Sequence, residues 1–140
     1  MSEQLRAKIN PSNTLYLGSV HDPKNVRISR LFKMADIFVV PGHVGLGINQ
    51  AFFWGLPVVT EDGHQPPEIQ YLQPGRNGFL VPEDDVNGLE DRILYLLDDD
   101  EVREVFSQNA RSDIMEHASP ERMFRGFQQA VEYACRVRTT

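Results

Sequence analysis

The sequence predicts an α/β domain built on a doubly wound parallel sheet, and three observations predict it. Short runs of largely apolar residues recur at positions 14–17, 37–40, 57–59 and 78–81, and runs apolar on successive residues mark strands buried on both faces. Between them the apolar residues fall at helical spacing. One strand-to-helix connection, Val40-Pro41-Gly42-His43-Val44-Gly45-Leu46-Gly47, is rich in glycine and leads through a helix and a Gly55-Leu56-Pro57 turn into the next strand. Alternating strands and helices imply right-handed crossovers with helices packed on the sheet.

The elements follow in order. Residues 2–9 read as the tail of a helix, and Asn10-Pro11-Ser12-Asn13 as a turn into a short first strand at residues 14–17. Asp22-Pro23 marks a loop, after which Val26, Ile28, Leu31, Phe32 and Ala35 define a helix leading to the strand at residue 37. Glu68, behind Pro66-Pro67, belongs in the first turn of a helix, where its charge offsets the dipole. Arg76 and Asn77 flank glycines in a turn before a strand and set its geometry.

Beyond Val81 the chain, residues 83–140, is helical. Val86, Leu89, Ile93, Leu96 and Leu97 form one stripe, and Val102, Val105, Phe106, Ala110 and Met115 a second. Ser119 is an N-cap with Pro120 at the first helical position. The helix it opens carries Met123, Phe124, Phe127, Val131 and Ala134 on one face, which reads first as a core-packing face. The whole, residues 1–140, is expected to form a single domain, of ordinary size and with 41% hydrophobic residues.

Charge and composition exclude several classes. The net charge is −6, with 14 acidic and 7 basic residues from Glu83 onward against 6 acidic and 7 basic before it. That balance argues against nucleic acid as a partner, since phosphate backbones need a basic surface. No run of about 18 apolar residues could span a bilayer, and no signal-peptide pattern opens the chain. Cys135 has no second cysteine to pair with, so a reducing, cytoplasmic setting is expected. His21, His43, His64 and His117 have no metal-ligand spacing, and no metal is expected.

The glycine-rich connection is a phosphate-cradle layout. Gly42, Gly45 and Gly47 let a ligand approach the backbone, and the unpaired amides opening the helix favour an anion. In an open parallel sheet the ligand gathers at the carboxyl ends of the strands, where this turn, the loop after Thr60 and the loop after Gly18 are all expected to lie, so that three loops can share one ligand.

Five stretches in series carry a resemblance: residues 34–41, the Gly55-Leu56-Pro57-Val58-Val59 junction, Pro67-Glu68-Ile69, the Gly75-Arg76-Asn77-Gly78-Phe79 turn, and Leu15-Tyr16-Leu17-Gly18. In order and spacing they resemble the donor-binding, C-terminal lobe of family 4 retaining glycosyltransferases of the GT-B fold (glycosyl transferases group 1). The resemblance implies a Rossmann-like lobe that binds a nucleotide-sugar donor with no cofactor and no metal. It implies an N-terminal acceptor lobe as partner, toward which the last helix runs back so that part of its apolar face is exposed without that lobe, and a parent enzyme of hexosyltransferase type, serving polysaccharide or glycolipid synthesis peripheral to a membrane. A two-lobed enzyme needs roughly 350 residues, so the chain is expected to be a partial lobe without its first strand and inactive alone.

By the same resemblance the diphosphate faces Val44, Gly45 and the amides of Leu46, Gly47 and Ile48, the ribose lies near Gln50, and the base reaches Gly18 and Val20. Family members typically carry two glutamates eight positions apart, and here these positions hold Gly42 and Gln50. A Gln side chain can still bond a ribose diol, without the added strength of charge. Gly42 offers no side chain, and His43 beside it is the substitute for sugar contact or for stabilising phosphate charge. His64, in Asp62-Gly63-His64-Gln65, has the same claim. The family's diphosphate-binding Arg and Lys have no equivalents, because Arg6 and Lys8 come too late in the pattern. Two other readings stand beside this one: a degenerate lobe acting as an interaction module, and a nucleotide-sugar epimerase of the same architecture.

Overall fold

The computed structural model describes residue 10 and residues 12–137; the helix tail expected at residues 2–9, with Arg6 and Lys8, lies outside the described residues. The chain divides into two compact units between Leu31 and Phe32.

In the first unit Asn10 organises a turn, its side-chain oxygen accepting from the Ser12 amide at 3.0 Å and the Ser12 hydroxyl at 2.7 Å. The strand expected at residues 14–17 does not form. Residues 14–20 have no regular structure, and Leu15 and Tyr16 are exposed. A strand exists through hydrogen bonds to a neighbour, which an apolar run alone cannot supply. Asp22 then opens helix α1 (Val26–Met34), its carboxylate accepting from the Ile28 amide at 2.9 Å.

The second unit holds strands β1 (Phe38–Val40), β2 (Val58–Asp62) and β3 (Gly78–Pro82), joined as a parallel sheet in the order β1-β2-β3. Phe38 pairs with Val58 and Val58 with Gly78, so the strands run in step. Helix α2 (Gly47–Phe53) connects β1 to β2, and a 3-10 helix, Pro67–Tyr71, lies between β2 and β3. Glu68 is in the first turn of that segment, as expected, but the turn winds as 3-10 rather than α. Helices α3 (Val86–Asp98), α4 (Asp100–His117) and α5 (Pro120–Val137) follow. Asp85 caps α3 through the Gly88 amide, Asp99 caps α4 through Glu101 and Val102, and Ser119 caps α5 through Arg122 at 3.1 Å.

Strand alternation sends the core to both faces of the sheet. Val58 packs on one side with Ile48, Ala51 and Phe52 of α2 and Ala110 and Ile114 of α4. Val59 packs on the other with Leu96 of α3 and Phe106 of α4. Val58 and Val59 are both fully buried, which is why β2 reads as a continuous apolar run. The α3 and α4 stripes are only partly core: Leu96, Phe106 and Ala110 are buried, while Val86, Leu97, Val105 and Met115 are exposed. The apolar face of α5 is not a core-packing face, and its exposure is the alternative that the resemblance implied. Met123, Phe124 and Phe127 are 66–76% exposed; helical periodicity defines an apolar face but not the surface that covers it.

The turn before β3 does more than shape the chain. Asn77 is fully buried, accepts from the Gln73 amide at 2.8 Å and donates to the Tyr71 carbonyl at 2.9 Å and to Asp113 at 3.1 Å. Arg76 grips the same carboxylate through Nε at 3.0 Å and Nη2 at 2.9 Å. The Arg76 hydrogen bond, opposed by burial, holds the Asp113 carboxyl below its ordinary range, and Asp113 raises the Arg76 guanidinium. The network ties α4 to the amino-terminal end of β3, across the sheet from the carboxyl ends of the strands.

Candidate functional site

All three strands end on one side of the sheet, at Val40, Asp62 and Pro82, so the connections after them share one rim. The turn after β1 is held by side chains from β2 and its following loop. The Thr60 hydroxyl, fully buried, lies 2.8 Å from the Val40 carbonyl and 3.1 Å from that of Gly42. Gln65 donates to the Gly42 carbonyl at 2.5 Å and the Glu61 carbonyl at 2.7 Å, and accepts from the Val44 amide at 3.2 Å. The rings of His43 and His64 come within 6.2 Å, centroid to centroid, so the two histidines considered separately in the sequence meet at one rim. Glu83, from the loop after β3, lies beside Gly63, its carboxylate 3.1 Å from where a Cβ would stand.

The glycines of the turn have different reasons for being there. Gly42 has φ +91° and Gly45 φ +52°, with no atom within 4 Å of an added Cβ at either; the backbone itself requires glycine, and the space beside it is open. Gly47 instead makes room for the Phe38 ring, 3.2 Å from its Cβ position. Among the other residues singled out, Val44 has its side chain in the core and its amide bonded to Gln65. Leu46 is exposed and Ile48 fully buried, the Ile48 amide turning back to the Gly45 carbonyl at 3.4 Å. The amides of Leu46 and Gly47 precede the first intrahelical acceptors of α2.

Gln50 is half-buried on α2, and its side-chain amide has no hydrogen bond among the described residues. Asn49 beside it has its side-chain oxygen buried without a partner among the described residues. Gly18 and Val20 belong to the first unit, where Gly18 has φ +67°. Sequence reasoning overlooked Thr60 and the clamp formed by Gln65. A polar residue ending an apolar strand, and a Gln following a glycine loop, were the only signals. Among the described residues no three His, Cys, Asp or Glu side chains converge to hold a metal, and no helix is long and apolar enough to cross a membrane.

A parallel sheet covered on both faces, with a glycine turn at the carboxyl rim, is a Rossmann-like α/β arrangement of the kind found in GT-B enzymes. Residues 2–113 match the family model of the glycosyl transferases group 1, and the chain belongs to that family. It is 34% identical over 90 residues to the sulfoquinovosyl transferase SQD2 of Arabidopsis thaliana, covering 61% of this chain and 18% of the relative. It is 31% identical over 77 residues to the poly(ribitol-phosphate) alpha-N-acetylglucosaminyltransferase of Staphylococcus aureus (strain COL), covering 55% and 15%. The matched region is thus less than a fifth of either relative's length. Among solved structures, a mutant of S. aureus TarM in complex with fondaparinux, alpha-GlcNAc-glycerol and UDP superposes with a TM-score of 0.63 at 25% identity, over 72% of this chain and 21% of that one. The C-terminal domain of the group 1 glycosyl transferase LpcC of Francisella tularensis gives 0.63 at 20% identity, over 74% and 53%, a likeness of fold.

Proposed function

We propose that this chain is the nucleotide-sugar-binding part of a retaining glycosyltransferase, moving a sugar from a nucleoside diphosphate sugar to a glycan or lipid-linked acceptor. The observation that carries this reading is the clamped glycine turn at the carboxyl rim of β1 and β2, in a chain belonging to the glycosyl transferases group 1. The UDP bound in the TarM structure supports the ligand class.

In this reading the diphosphate lies over Gly45 and meets the amides of Leu46 and Gly47, which stabilise the leaving group as its charge develops. The open space beside Gly42 admits the sugar, with His43 and His64 at its edge in place of the family's first glutamate. Gln50 bonds the ribose hydroxyls through its unengaged amide. Metal is not required, the acceptor comes from an N-terminal lobe, and the parent enzyme works in the cytoplasm at a membrane surface. A second reading, an interaction module that has lost nucleotide binding, draws on Gly42 and Gln50 standing where two glutamates are typical.

Calorimetric titration with UDP, GDP, ADP and CMP, in the presence of EDTA, separates the two. The donor reading expects saturable binding that favours one base, with Gln50→Glu strengthening it by a charge-assisted bond. Absence of binding at millimolar nucleotide, in this chain and in one extended upstream, would establish the interaction module instead.

A further inference from the structure

Resting on the donor reading above, we infer that Gln65 is a positioning residue that sets the shape of the donor turn at Gly42, His43 and Val44 from a neighbouring loop. Gln65 lies three residues beyond β2 and is half-buried. A primary amide has two N–H donors and one carbonyl acceptor, and here all are committed to main chain. The nitrogen serves the carbonyls of Gly42 at 2.5 Å and Glu61 at 2.7 Å, with the Thr60 hydroxyl a longer third neighbour at 3.3 Å. The oxygen accepts from the Val44 amide at 3.2 Å. One side chain therefore holds both the group before His43 and the group after it.

The turn needs such a restraint. Gly42, at φ +91°, has no Cβ to limit its backbone and no atom within 4 Å of where one would stand. Gln65 donates to its carbonyl, and the Thr60 hydroxyl, whose single proton faces the nearer Val40 carbonyl, lies 3.1 Å from the same oxygen; the Gln65 bond selects one orientation of the peptide leading to His43. The same bonds draw together the loops that carry His43 and His64, whose rings lie 6.2 Å apart. Glutamate at position 65 would keep the length but lose both donors and set a carboxylate against two carbonyls. Leucine would keep the bulk and lose every bond. Without the clamp the turn must be ordered when the diphosphate arrives, and ligand affinity bears that cost.

The test uses the full chain with Gln65→Leu and Gln65→Glu, each verified as folded by circular dichroism. UDP, GDP and ADP are titrated against each, alongside uridine, guanosine and adenosine, and amide exchange is followed at Val44. The expected result is faster exchange at Val44 and a loss of about tenfold or more in affinity for the diphosphate, with the parent nucleoside unaffected. A residue that merely stabilised the fold would weaken both ligands alike, and that outcome overturns the positioning role. Unchanged diphosphate affinity in both variants, with the wild type binding, overturns it too and leaves the donor reading standing. A wild type that binds no diphosphate, both as this chain and extended upstream, overturns the donor reading and this role with it.

Discussion

Asp113→Ala removes the one carboxylate that joins α4 to the turn before β3. Its side chain is 8% exposed and accepts three bonds, at 3.0 and 2.9 Å from Arg76 and at 3.1 Å from Asn77. Breaking a well-buried ion pair by deleting one partner costs about 3–5 kcal/mol. Arg76 is 48% exposed, so water replaces part of what it loses. Asn77 is fully buried and keeps only its Tyr71 and Gln73 bonds. The net expectation for Asp113→Ala is a loss of about 2–4 kcal/mol, equivalent to roughly 5–15 °C in unfolding midpoint for a chain of this size. Urea denaturation followed by far-ultraviolet circular dichroism measures it directly. A loss below about 1 kcal/mol would show that water substitutes for the carboxylate and would refute the network as a structural tie. The pH dependence is a second reading of the same bond. Because Arg76 lowers the Asp113 pKa in the fold, its stabilisation is fully present above the ordinary carboxylate value of about 3.9 and is lost as pH falls through the depressed folded value. The stability gap between the wild type and Asp113→Asn should therefore be constant near neutrality and narrow only below about pH 4.

Three further substitutions probe the fold. Gly78→Ala places a Cβ against the Val58 carbonyl and 2.8 Å from Leu72 Cδ1, so a loss of about 1–3 kcal/mol from overpacking is expected; a neutral change in denaturant midpoint would contradict the β2–β3 spacing. Phe52→Ala empties the largest fully buried side chain of the α2 face and should cost about 3–5 kcal/mol, with a smaller loss showing that α4 collapses into the space. Ser119→Ala deletes the bond to the Arg122 amide and should cost α5 about 1 kcal/mol of helix stability, seen as faster amide exchange at Arg122 without loss of the sheet.

Much of this protein was legible in its residue order because parallel strands buried on both faces need unbroken apolar runs. Residues 37–40, 57–59 and 78–81 announced β1, β2 and β3 for that reason, and Ser119-Pro120 announced the start of α5 because capping is a local hydrogen bond. The glycine turn was equally local: Gly42 and Gly45 adopt positive φ, which few other residues tolerate. Tertiary structure alone decided whatever depends on a distant neighbour. The run at residues 14–17 is as apolar as a strand but has no strand pairing. The α5 face has ideal periodicity yet remains exposed. Asp113 looked like one of many surface acids until the fold brought it to Arg76 and Asn77, more than 30 positions away. Gln65 looked like an ordinary loop residue until packing placed it across from Gly42. Sequence pattern records what a residue requires of its own backbone and its immediate turn, whereas partnership across the sheet is set by which elements pack together.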